Sequence, residues 1–200
     1  MTALALIDAG GANLGSVRYA LERLGVDARI VRDADGLRGV ERIILPGVGA
    51  AAPAMAFLRE RGLVEPLRAT RLPLLGICLG MQLLFEGSDE GDVACLGLLP
   101  GRVRKLVGGA GVRVPHMGWN TLEPTTASLL LDGVDTGACA YFVHSYAAPV
   151  SEDCIVACTH GERFAAMVRR GNVAGAQFHP ERSAAVGARL LSNFLLWNGA

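Results

Sequence analysis

Between Leu72 and Phe85 the chain reads LPLLGICLGMQLLF, and no other stretch limits the possible fold so strongly. A continuous apolar run such as Leu72 to Ile77 is the pattern of a strand buried on both faces, as in a parallel sheet covered by helices. The run ends on Cys78, with Gly76 two residues before it and Gly80 two residues after. In this spacing of glycines around a nucleophile, a strand turns sharply into a helix and the residue at the bend stands exposed. A cysteine used only as core filler needs neither glycine. At a helix start the sulfur also meets the positive end of the helix dipole and free amides, which favour thiolate over thiol and can bind an oxyanion. Gln82 lies one helical turn further on the same face, where its amide can hold a substrate against the sulfur. Taken alone, the segment also reads as a buried cysteine in a tight turn.

The first half of the chain alternates strand and helix patterns around this run. ALALID is a strand; Asn13 caps a helix in which Leu14, Val17, Leu21 and Leu24 share a face, and Gly25 ends it. VDARIV and ERIIL are further strands, and PGVGAAAPAM is a glycine-rich turn into a helix through about Leu67. From Leu96 to Gln177 short extended segments follow: GRVRKL, YFVHSY, DCIVACTH, RFAAMVRR and VAGAQFH. Ser183 starts a last helix with Val186, Leu190, Phe194 and Trp197 on one stripe. The expected fold is α/β: a mainly parallel central sheet with helices on both faces and an antiparallel extension. The 200 residues, 51% hydrophobic and 19% charged, suffice for one domain spanning residues 1–200.

Charge narrows the function. Nineteen basic residues balance nineteen acidic ones with no basic run, so neither nucleic acid nor an anionic membrane is an expected partner. No apolar run reaches the ~18 residues of a membrane span. Five cysteines without CxxC spacing suggest reduced thiols in a cytoplasmic chain.

A base for Cys78 is offered by AGAQFHPERS. Pro180 pushes His179 towards an extended backbone at a strand end, and Glu181, two residues on, can share its side and accept a hydrogen bond from the ring. Base plus orienting carboxylate is what a cysteine nucleophile needs. Cys78 and His179 both end strands, and in open α/β sheets sites form at that edge.

This combination resembles the triad type of glutamine amidotransferase, with the cysteine in GxCxGxQ and a late HPE. The resemblance covers nearly the whole chain. GICLGMQLLF, ILPGVGA, VPHMGWN and YFVHSY are together similar to the glutaminase subunits of imidazole glycerol phosphate synthases, in histidine biosynthesis. It implies that Cys78, His179 and Glu181 hydrolyse glutamine to glutamate and ammonia without metal or organic cofactor. The oxyanion donors are then expected among the amides of Leu79 and Gly47, Val48 and Gly49. Gln82 and the backbone around Ser145 and Tyr146 are expected to hold the glutamine α-groups. The implied partner is a (β/α)8-barrel cyclase subunit, in a heterodimer, which receives the ammonia and forms imidazole glycerol phosphate and an aminoimidazole carboxamide ribotide. Two departures stand out: Asp8-Ala9-Gly10-Gly11-Ala12-Asn13-Leu14 replaces the usual Asp-Tyr-Gly-x-Gly-Asn-Leu, and Arg182 stands where lysine is common.

Other readings remain. A γ-glutamyl hydrolase or a glutaminase of another pathway shares the triad, and a thiol sensor or chaperone shares the elbow cysteine. Glu181 argues against the sensor, and Gln82 with the HSY segment against the peptide hydrolase. Gly10 to Gly15, with Asp33 and Asp35 downstream, mimics a degraded dinucleotide fingerprint, though a tight turn is the better reading. Cys154, Cys158 and His160 lack a fourth metal ligand nearby, so Cys154 and Cys158 are expected as buried free thiols. His116 reads as a core or interface residue, His144 as structural. Trp119 reads equally as core or as a partner-facing anchor.

Overall fold

The computed structural model describes residues 3–10 and 13–199. The first half is built from β1 (Leu4–Ile7), α1 (Leu14–Arg23), β2 (Arg29–Val31), β3 (Arg42–Gly47), α2 (Ala51–Glu60), α3 (Val64–Ala69), β4 (Leu74–Cys78) and the single turn α4 (Leu79–Gln82). Then come β5 (Phe85–Ser88), β6 (Val93–Ala94), β7 (Leu99–Lys105), β8 (His116–Thr121), β9 (Glu123–Pro124), β10 (Cys139–His144) and β11 (Tyr146–Ala147). The chain closes with β12 (Cys154–His160), β13 (Glu162–Arg170), β14 (Val173–Ala176), a 3-10 turn at Pro180–Arg182 and α5 (Ala184–Leu196).

The main sheet has the order β2-β1-β3-β4-β14-β13-β12-β9. Its first five strands are parallel and its last three antiparallel, so the mixed sheet expected from the sequence is present. The apolar run Leu74 to Ile77 lies in the centre, paired on both sides, which is why both of its faces are hydrophobic. Alternate residues feed two cores. Ala5, Ile7, Ile43, Leu45 and Leu74 pack with Met55, Leu58 and Leu67 of α2 and α3. Leu4, Leu6, Ile44, Leu75 and Ile77 pack with Val17 and Leu21 of α1 and Leu190 and Phe194 of α5. The opposite faces follow from the period of two along each strand.

Three expectations change. The helix extending to about Leu67 is two helices, divided where Gly62 adopts a positive φ of 64°. GRVRKL belongs to a separate four-stranded sheet, β11-β7-β5-β6, and YFVHSY supplies most of β10 in the β8–β10 ribbon and opens β11, so neither joins the main sheet. Asn13 does not cap α1 with its side chain, which points elsewhere.

The parallel register pairs Gly47 with Cys78 and Ala176 with Ile77. The carboxyl ends of β3, β4 and β14 therefore meet at one edge of the sheet, bringing residues more than a hundred positions apart together. Among the described residues no helix is long and apolar enough to cross a membrane.

Candidate active site

Cys78 sits at the bend between β4 and α4 with φ 54° and ψ −113°, a conformation that costs a non-glycine residue about 1–3 kcal/mol. Packing imposes it. A Cβ on Gly80 would stand 1.7 Å from the carbonyl oxygen of Leu45, and one on Gly76 would stand 2.6 Å from the carbonyl oxygen of Gly80. The two glycines thus let the backbones of β3, β4 and α4 touch directly. Gly80→Ala is expected to cost about 3 kcal/mol or more and to lower the melting temperature by roughly 10 °C, read by thermal unfolding. An unchanged melting temperature would contradict this close approach. Because α4 is one turn long, the helix dipole expected at the sulfur is reduced to the few free amides of that turn.

His179 keeps the extended backbone that Pro180 requires, with φ −101° and ψ 96°. Glu181 does not continue it: Pro180–Arg182 is a 3-10 turn, and from it the carboxylate curls back to place Oε1 2.7 Å from His179 Nδ1. Both side chains are almost wholly buried. Asn13 Nδ2 donates to the same Oε1 at 2.7 Å, so the residue expected as a helix cap instead braces the carboxylate. Burial works against the imidazolium, yet Cys78 and Glu181 outweigh it and raise the His179 pKa to about 10. Burial likewise opposes the Glu181 carboxylate, but His179 and Asn13 hold its pKa below the ordinary value. The remaining ring nitrogen, His179 Nε2, is buried and has no hydrogen-bond partner among the described residues.

A cavity of about 240 Å³ opens beside this pair, lined by Cys78 and His179 together with Val48, Gly49, Leu79, Gln82, Ser145 and Tyr146. Gly47 is the one expected binding residue that does not reach its wall. It lies behind, where a Cβ would meet Gly80 N and Leu79 Cβ at 3.0 Å, so it serves close packing. Gln82 Nε2 donates to the carbonyls of Tyr146 at 2.8 Å and of the Gln177 side chain at 2.9 Å. Sequence reading passed over Gln177, Asn13 as a site residue, and Glu90. Glu90 is the only carboxylate among the described residues lining the cavity, and its Oε2 accepts from Ala51 N at 3.0 Å. Gln177 was discoverable: the period of two that relates strand neighbours also sets it on the side of His179. Glu90 sits in a surface turn with no periodic signal.

The glutamine amidotransferase class-I family model matches residues 5–197. The chain belongs to that family. Among its relatives, imidazole glycerol phosphate synthase subunit HisH of Xanthomonas euvesicatoria pv. vesicatoria (strain 85-10) is 69% identical over 195 residues, 98% of either chain. The HisH subunit of Xylella fastidiosa (strain Temecula1 / ATCC 700964) is 64% identical over 200 residues, the whole of both. Among solved structures, a glutamine amidotransferase aligns with a TM-score of 0.75 at 24% identity, covering 96% of this chain and 97% of its own. PurLQS from Thermotoga maritima aligns with a TM-score of 0.74 at 21% identity over 98% and 99%. At those identities the likeness is one of fold.

In this amidotransferase two of the other histidines, His116 and His144, form a hydrogen-bonded row, while His160 stacks on His116 and bonds to Arg113 O at 2.8 Å. Asn120 Oδ1 accepts from Thr121 N at 2.8 Å, so its Nδ2 is the atom 3.2 Å from His116 Nε2. His116 therefore carries its proton on Nδ1 and donates to His144 Nε2 at 3.0 Å, and His144 Nδ1 donates to Tyr146 O at 2.9 Å. Burial first, then neighbouring histidines, push His116 down to about 4 and His144 down to about 3, so both rings are neutral. His116 is a core residue, and His144 is structural although it touches the cavity. Cys154 and Cys158 are buried free thiols, and among the described residues no metal-binding cluster forms. Gly11 and Ala12 of the glycine-rich turn lie outside the described residues. Arg182 sets its guanidinium 5.9 Å from the ring centre of Tyr141.

Proposed function

We propose that this amidotransferase is the glutaminase subunit of an imidazole glycerol phosphate synthase in histidine biosynthesis. The observation that carries the chemistry is the single cavity lined by Cys78, His179 and one carboxylate, Glu90, with Glu181 fixed on the far nitrogen of the histidine. The HisH relatives, 64% and 69% identical, carry the choice of pathway.

The Cys78 thiolate attacks the side-chain amide carbon of glutamine, and the imidazolium of His179 gives its proton to the departing ammonia. Water, deprotonated by the now neutral His179, then cleaves the thioester to glutamate and restores the thiolate. Glu181 holds the ring so that Nε2 faces the reaction, and Asn13 holds Glu181. The oxyanion takes donors from the amide of Leu79 and from the Val48–Gly49 stretch, where Gly49 adopts φ 95° in open space. Glu90, with the free Oε1 of Gln82, binds the α-ammonium of glutamine, while the Ser145 and Tyr146 backbone fixes its carboxylate side; both N–H groups of Gln82 are spent on Tyr146 and Gln177. These groups need no metal or organic cofactor.

The partner in this reading is a (β/α)8-barrel cyclase that uses the ammonia to form imidazole glycerol phosphate and the ribotide. Trp119 is 56% exposed and Met117 64%, which removes the core reading of Trp119 and leaves an apolar ribbon for that partner. The free cysteines fit a cytoplasmic location.

The test mixes the purified chain with the candidate barrel and its nucleotide substrate and follows glutamate release. Release is expected to rise roughly a hundredfold over the isolated chain, the worth of one completed oxyanion donor. Equal rates with and without the barrel would sink the coupling. Rapid hydrolysis of γ-glutamyl peptides by the chain alone would favour the hydrolase reading instead.

A further inference from the structure

Gln177 follows β14 and is completely buried. Parallel pairing of Gly175 with Gly76 and Ala176 with Ile77 leads to Gln177 beside Cys78, and its backbone is held by a bond from Gln177 N to Ala166 O at 2.8 Å. The direction of its side chain follows from hydrogen-bonding capacity alone. The Tyr146 carbonyl can only accept, so the Gln82 atom 2.8 Å from it is Nε2. The same nitrogen stands 2.9 Å from the Gln177 side chain, so the atom facing it must be the acceptor Oε1. Gln177 Nε2 is thereby turned to the sulfur of Cys78, at 3.8 Å.

We propose that Gln177 is a further catalytic residue, whose side-chain amide donates a hydrogen bond to the Cys78 sulfur and stabilises its thiolate. This rests on Cys78 being the nucleophile. The role differs from that of His179, which exchanges a proton: the amide N–H keeps its own, so it serves the thiolate both before attack and when the thioester breaks. Gln82 is the residue that aims it, since without the N–H from Gln82 the Gln177 amide is free to turn its oxygen towards the sulfur. A hydrogen bond to a charged acceptor is roughly twice as strong as a neutral one, so the preference for thiolate over thiol is selective. A buried amide with no such partner would be costly, whereas a methionine would fill the same volume without polar atoms.

The test is the rate of Cys78 alkylation by iodoacetamide as a function of pH, with the modified residue located by mass spectrometry. In Gln177→Met and Gln177→Glu the midpoint of the profile is expected to lie about one pH unit above that of the wild type, a tenfold loss of thiolate below it. Gln177→Glu keeps the volume and an acceptor for Gln82. In the wild-type chain, the side-chain amide resonance of Gln177 is expected to shift with the same midpoint. A profile unmoved in a folded variant, or an amide resonance that ignores the Cys78 titration, overturns the role of Gln177. Wild-type label falling elsewhere than Cys78 overturns the nucleophile, and the proposal with it.

Discussion

Cys78→Ala is expected to abolish glutamine hydrolysis while synthesis by the complex, supplied with ammonium salt at high pH, continues. The sulfur has no substitute nearby. Cys95 and Cys158 are buried thiols that desolvation pushes up to about 11 and about 12, burial raises Cys154 as well, and Cys139 is exposed at the start of β10 and does not line the cavity. Alanine removes one atom and leaves the positive φ at position 78 in the keeping of the same glycine contacts, so the fold and the partner surface survive. Loss of activity is then chemical. An electrophilic glutamine analogue is expected to label Cys78 alone, as read by mass spectrometry. A Cys78→Ala chain that still hydrolyses glutamine at near the wild-type rate would show the central assignment to be wrong.

Glu181→Gln is expected to reduce hydrolysis by roughly 10^3 to 10^4-fold, as for other orienting carboxylates of a nucleophile–histidine pair. His179→Ala is expected to cost about as much as Cys78→Ala, and combining either with Cys78→Ala to cost little more, because the three act as one unit. Additive losses would mean separate roles. The same pair predicts a pH signature in stability. His179 is raised in the folded chain, so its contribution is full below its ordinary value of 6.5 and fades as pH rises through about 10. Glu181 is lowered, so its contribution is full above its ordinary 4.5 and fades as pH falls through its folded value. Glu181→Gln should therefore lower the melting temperature most between about pH 4.5 and 6.5, with the deficit shrinking towards pH 10. A deficit that grows with alkalinity would contradict the ion pair.

The strands and helices of the main sheet were legible because burial on two faces leaves an unbroken apolar run and burial on one face leaves a stripe; LPLLGI and the α1 stripe carry those marks. Cys78 was legible because only small residues such as Gly76 and Gly80 admit the bend around it, and His179 because Pro180 holds it extended; Glu181 was legible by its spacing, although a 3-10 turn and not an extended strand brings it to the ring. The assignment of GRVRKL and YFVHSY to separate sheets was not, since alternation along a strand does not name its neighbour. Asn13 reads as a cap from its place before α1, and only the approach of the Pro180–Arg182 turn explains why its amide serves Glu181 instead. Glu90 reaches the cavity through a turn whose course depends on the α2 amide it accepts from.

The row from Asn120 through His116 and His144 to the Tyr146 carbonyl bears on the fate of the product. All of its hydrogen bonds run in one direction and end on an oxygen that has no proton to pass on. In the proposed reaction the ammonia set free at Cys78 is a base, and an acid stronger than ammonium turns it into ammonium, which has no lone pair with which to react. His144 borders the cavity, and an ordinary surface histidine there would be such an acid for part of the time. Held neutral at a pKa of about 3, it has no proton to spare near neutral pH. The His144 face of the cavity is thus an imidazole that cannot protonate what is made against it, which leaves His179 as the only histidine lining that cavity with a proton to give near neutral pH.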